Sequence, residues 1–215
     1  DQFAWTDAGM IALVEFAAAN LDFVDPGRIG VTGHSLGGRI ISNTLAHYGV
    51  AYEKALAQAQ EPDSEGGTEI TEKEQAYARS QNKVMAAFAS GVQTSEISFG
   101  VKDDTFAIHG IKGAPEDKEM PQRAYASVAV YNGFNDEFGR GNYQVDGVAY
   151  DLSVHPDMIS LVNSVLVPED KVETIEIDRF YGNAGDHTLR VVYNPPEVHA
   201  YERFSTTEAR EISDF

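Results

Sequence analysis

Apolar and polar positions along the chain follow first a helical and then an extended period. Met10, Ile11, Leu13, Val14 and Phe16 to Ala19 recur at helical spacing within Trp5 to Leu21, with Thr6 or Asp7 placed to cap the helix. The turn Asp25-Pro26-Gly27 ends this segment, and the β-branched run Arg28 to Gly33 follows. Such a continuous apolar run suits a strand buried on both faces of a parallel sheet. After a sharp turn at His34-Ser35, the residues Ile40, Ile41, Thr44 and Leu45 restore the helical period over Gly37 to Tyr48. Helix, strand, turn and helix in this order predict an α/β fold.

Further along, residues 50–82 are polar, with the loop Glu61 to Gly67 between two Ala/Glu/Gln-rich helical stretches, and read as a surface excursion. Val84 to Ala89 and Ser127 to Tyr131 are short apolar runs that end near Gly91 and Gly133, as core strands do. Residues 92–125 are weakly patterned and compatible with a hairpin. A short helix is expected over 155–166. Lys171 to Tyr181 and His187 to Tyr193 read as two strands joined by the turn Gly182 to Asp186, and Ser205-Thr206-Thr207-Glu208 matches a capping box that opens a last helix.

Composition narrows the function classes. The 215 residues carry 16 Lys+Arg against 34 Asp+Glu, a formal charge of −18, and no Lys/Arg cluster interrupts it. That field repels phosphate backbones and anionic headgroups, so no nucleic-acid partner is expected. No apolar run in the chain reaches the roughly 18 residues that a membrane-spanning helix needs. With no Cys, disulfides, thiolate metal sites and a cysteine nucleophile are excluded, while the compartment stays open. No H-E-x-x-H or recurring His/Asp spacing occurs, and neither a metal nor another cofactor is expected.

The strongest chemical signal is Gly33-His34-Ser35-Leu36-Gly37. It has the G-x-S-x-G form of a nucleophile elbow, in which a strained strand-to-helix turn lifts the serine hydroxyl clear of the sheet. Gly33 and Gly37 are expected because side chains two residues either side of the serine would collide with the neighbouring strand or helix. An apolar strand leads into the motif and an amphipathic helix leads out of it. The competing reading is a structural Gly-Ser turn in some other α/β fold.

Arg28 to Arg39 resembles the elbow of α/β-hydrolases, and its lead-in Phe23-Val24-Asp25-Pro26-Gly27-Arg28 is similar to that of bacterial esterases and dienelactone-hydrolase-like members. The resemblance is specific over residues 5–50 and loose elsewhere. It implies a mainly parallel sheet flanked by helices, and a serine hydrolase that cleaves a small ester or related acyl substrate through an acyl-enzyme. It also implies that the first strands of the sheet are missing. Residues 1–215 then form a single, partial domain with a polar helical insert at about 50–82, a fragment of a longer protein with weakened stability and turnover. Membrane segments outside the hydrolase domain, known in some relatives with this kind of elbow, are not visible in such a fragment.

The expected chain order is Ser, then Asp or Glu, then His. Asp136 follows the apolar run to Tyr131 and Gly133, where the family commonly carries its acid, and Glu137 is its nearest rival. Among the later histidines, His199 lies after the Asn194-Pro195-Pro196 turn and before the last helix, where the resemblance places the base. His187 in a Gly-rich turn reads as an exposed loop residue, and His155 as the neighbour of a helix cap. The 63 residues from Asp136 to His199 are longer than most members of the family show. His34 reads as a packing residue, and His47 and His109 as structural or exposed. One oxyanion donor is expected at the backbone N–H of Leu36, and the second has no place upstream. A peptidase or an acyltransferase would use the same residues. A non-catalytic hydrolase-like binding domain is the alternative of a different class.

Overall fold

A computed structural model describes residues 9–59, 70–92, 125–138, 144–145, 147 and 149–215. The helical period of the first segment yields α1, Met10–Asn20, capped by the left-handed Gly9. The expected cap residues Thr6 and Asp7 lie outside the described residues, as do 93–124, where a hairpin was expected. The strand β1 spans Ile29–His34 and leads through Ser35 into α2, Leu36–Ala59. This helix continues well past Tyr48, because Val50 and Ala55 keep an apolar stripe on its buried side. The next helix, α3, Glu72–Gln81, starts with a reciprocal capping box between Thr71 and Glu74. The strands β2, Val84–Ser90, and β3, Ser127–Tyr131, stand where the apolar runs put them.

Beyond β3 come a two-residue antiparallel ladder, β4 (Gln144–Val145) with β5 (Ala149–Tyr150), and then α4, Pro156–Asn163. Of the expected pair of late strands only the second forms, as β6, Arg190–Tyr193. The alternating segment from Lys171 to Tyr181 is not a strand. Asp178 takes a φ of 64°, which turns the chain out of extended geometry. The segment touches β6 through the Asp178 N–H on the Val192 carbonyl and a single antiparallel bridge at Tyr181 and Arg190. Its Ile175 still enters the core, so the alternation reports burial rather than pairing. Two short helices finish the chain: α5, His199–Glu202, and α6, Thr206–Asp214. Ser205 caps α6 by accepting from the Thr207 and Glu208 amides.

The four long strands form one parallel sheet in the order β1-β2-β3-β6. The class is therefore α/β, with helices flanking an all-parallel sheet. Side chains alternate across it. Ala87, Ala89, Val128, Val130 and Val192 face a core shared with Val14, Ile41, Leu45, Met158 and Leu161, while Phe88, Ala129, Tyr131, Val191 and Tyr193 form a second cluster on the other face. The register aligns His34 with Ser90, Ser90 with Tyr131 and Tyr131 with Tyr193. All four strands thus end level, and the segments that follow them emerge together at the carboxyl edge, the usual place for a site in an open α/β sheet.

Candidate active site

Ser35 occupies the turn between β1 and α2 with a φ of 56°, a left-handed conformation that costs a non-glycine residue of order 1–3 kcal/mol. The turn is held by the Ser35 N–H donating to the Ser90 carbonyl at 2.8 Å, and the Ser35 carbonyl accepts the first helical bond from Gly38 at 2.9 Å. Gly33 is required as expected: a Cβ there would lie 2.7 Å from the Gly37 backbone. For Gly37 the expectation fails, since no described atom lies within 4 Å of its would-be Cβ. The demand falls one residue later. A Cβ on Gly38 would overlap Val92 Cγ1, because this is where α2 crosses the end of β2.

The three residues singled out for acid, base and nucleophile are brought together. His199 Nε2 lies 3.1 Å from Ser35 Oγ, and His199 Nδ1 lies 3.1 Å from Asp136 Oδ2. With Nδ1–H donating to the carboxylate, Nε2 is left as the acceptor for the serine proton. Asp136 is buried at 1% exposure, and its other oxygen accepts from the Phe138 amide at 2.7 Å. The turn that carries it is closed by the Asp136 N–H donating to the Gly133 carbonyl at 2.9 Å. Asp136 rather than its rival Glu137 is the carboxylate bonded to His199, and the Phe138 ring packs 4.7 Å from the His199 ring. Leu36 opens α2, so its amide is among the leading N–H groups that the helix leaves unpaired, where the macrodipole also favours an anion.

The other histidines fall elsewhere. His155 is itself the cap of α4, accepting from the Asp157 amide through Nδ1, and burial lowers its pKa. His187 sits half-buried in its turn with a φ of 60°, and the His47 ring packs edge-on against Tyr48. His109 lies outside the described residues. His34 packs against the site as expected, with its ring 4.7 Å from that of His199, and burial followed by the His199 charge lowers its pKa.

Sequence reasoning missed Glu202. It is fully buried, its Oε1 accepts from the Gly133 amide at 2.5 Å, and Oε2 lies 3.4 Å from His34 Nε2. Burial pushes its pKa up to about 8, and the Asp136, Glu208 and Glu197 charges add to the rise. Its place three residues after His199 was the available signal, because that spacing stacks two side chains on one side of a helix. His34, His199 and Glu202 offer ligand atoms within 4.8 Å of one another, the sole such group among the described residues. A metal there would have to take a His199 nitrogen away from Ser35 or Asp136. No family model, curated protein or solved structure matches the chain. No described helix is long and apolar enough to cross a membrane.

Proposed function

We propose that this chain is a serine hydrolase of the α/β-hydrolase type that cleaves an ester or related acyl substrate. The observation that carries the reading is the hydrogen-bonded line from Ser35 Oγ through His199 to the buried carboxylate of Asp136. Ser35 attacks the acyl carbon while His199 Nε2 takes the hydroxyl proton, and Asp136 orients the imidazole and stabilises its cationic form. The Leu36 amide faces the developing oxyanion from the helix N-terminus. Collapse of the tetrahedral intermediate returns the proton from His199 to the leaving alcohol, and water then attacks the acyl-enzyme with the same base. The parallel sheet with its reactive turn at the carboxyl edge supports this fold assignment.

The test is labelling by a fluorescent fluorophosphonate, comparing the wild type with Ser35→Ala and His199→Ala at equal folded concentration. Labelling that vanishes in Ser35→Ala and collapses in His199→Ala is the expected result. A folded wild type that does not label, or that labels equally well without Ser35, would overturn the reading and favour a binding domain.

A further inference from the structure

The proposed reaction leaves the most deeply buried carboxyl among the described residues, that of Glu202, without a role. Glu202 stands one turn along α5 from His199 and is fully shielded from solvent. Its Oε1 holds the Gly133 amide, and the Gly133 carbonyl in turn holds the Asp136 amide. Its Oε2 faces His34 Nε2, which lies 3.1 Å from the carbonyl oxygen of His199. His34 is the residue before Ser35. One carboxyl therefore touches all three segments that carry Ser35, Asp136 and His199.

The space for it is made by Gly91, at the end of β2. Gly91 has a φ of 57°, and a Cβ there would lie 2.6 Å from Glu202 Oε2, 2.7 Å from His34 Nε2 and 2.9 Å from His199 Cε1. Burying a carboxyl costs desolvation that an apolar side chain of the same volume avoids. Among the described residues, Glu202 Oε2 has no hydrogen-bond partner of good geometry. What the carboxyl provides in return is a side-chain link between these segments, added to the backbone bonds from Phe134 to Pro195 and from Asn135 to Glu197.

Resting on the serine-hydrolase reading, we propose that Glu202 is a positioning residue that ties the Gly133 turn and His34 to α5, and so holds Ser35, His199 and Asp136 in line for proton transfer. The charged and titratable groups around it are His34, His199, Asp136, Glu197 and Glu208. With its own pKa raised by burial and that of His34 lowered, the Glu202–His34 contact is between neutral groups at neutral pH.

The test compares wild type, Glu202→Gln and Glu202→Leu in fluorophosphonate labelling rate and in kcat and KM on a p-nitrophenyl ester, with folding checked by circular dichroism. Glu202→Leu is expected to lose about 100-fold in kcat with KM little changed, the effect of a small misalignment of reacting groups. Glu202→Gln is expected to recover most of that loss, because its amide oxygen still accepts from Gly133 and its amide nitrogen still faces His34. The wild-type kcat profile should show an ionisation near pH 8 that Glu202→Gln lacks.

A folded Glu202→Leu that keeps wild-type kcat overturns the proposal. If Glu202→Leu does not fold, a Glu202→Gln profile identical to that of the wild type overturns it instead. Both results require a wild type that labels at Ser35; a folded wild type that does not label brings down the hydrolase reading itself, and this proposal with it.

Discussion

On one face of the sheet, Val84, Val128, Val130 and Val192 pack against Val14, Ile41, Leu45 and Leu161 from α1, α2 and α4, a largely aliphatic layer that also takes in Tyr48, Tyr150 and Tyr181. On the other face, Phe88, Tyr131 and Tyr193 stack among themselves and against Phe215 beside polar groups. There the Tyr131 hydroxyl donates to Glu197 at 2.8 Å, Ser205 joins the same carboxylate, and the buried Glu208 bonds the Ser90 side chain in place of the reciprocal half of its capping box. Burial raises the pKa of Glu208, and that of Tyr193 to about 12. The first face is explained mainly by area removed from water, with the buried Arg190 guanidinium at its edge donating to the Ala126 carbonyl. The second carries groups whose desolvation detracts from stability, and they lie beneath and beside the segment that presents His199. The difference teaches that the two faces should respond differently to substitution, in stability on one side and in activity on the other.

The largest expected effect is at the site itself. Ser35→Ala should lower turnover on the order of 10⁴-fold to 10⁶-fold in a hydrolysis assay while leaving the denaturant midpoint near that of the wild type. Next is the aliphatic face: Leu45→Ala should cost about 2–5 kcal/mol in denaturant unfolding, yet leave the labelling rate per folded molecule unchanged. A loss of labelling in that variant would break the distinction between the faces. Behind the reactive turn, Gly38→Ala should cost about 1–3 kcal/mol through overlap with Val92. Gly37→Ala should instead be neutral, or stabilise by about 0.5–1 kcal/mol, because no described atom stands in its way.

The last effect is a slope with pH rather than a single step. Glu202 binds its proton more tightly in the folded state than in the unfolded chain, so its contribution to stability is fully present below its unfolded pKa of 4.5 and falls as pH rises towards about 8. Unfolding free energies measured between these pH values should therefore show wild type losing ground to Glu202→Gln, by at most about 1.4 kcal/mol per pH unit. Parallel curves for the two proteins would mean that the carboxyl is not held in its neutral form.

The sequence by itself determined the α/β class, the strands β1, β2 and β3, and the serine turn, because each is a local matter of period and turn chemistry. Gly33, Ser35 and the apolar run before them can be read without knowing what lies across the sheet. It also supplied Asp136 and His199 as candidates, through their place after apolar runs together with the resemblance to α/β-hydrolases, although 63 residues separate them. Only the tertiary structure decided that Lys171 to Tyr181 runs past β6 without becoming a strand, since alternation records burial and a positive φ at Asp178 breaks the pairing. It moved the steric demand from Gly37 to Gly38, because that depends on where Val92 lies when α2 crosses β2. And it alone put Glu202 among His34, Gly91 and Gly133, four positions scattered from 34 to 202 that meet because parallel strands in register end at one level. Period and propensity act over a few residues, whereas the meeting of a buried carboxyl with its partners is set by the packing of the whole sheet.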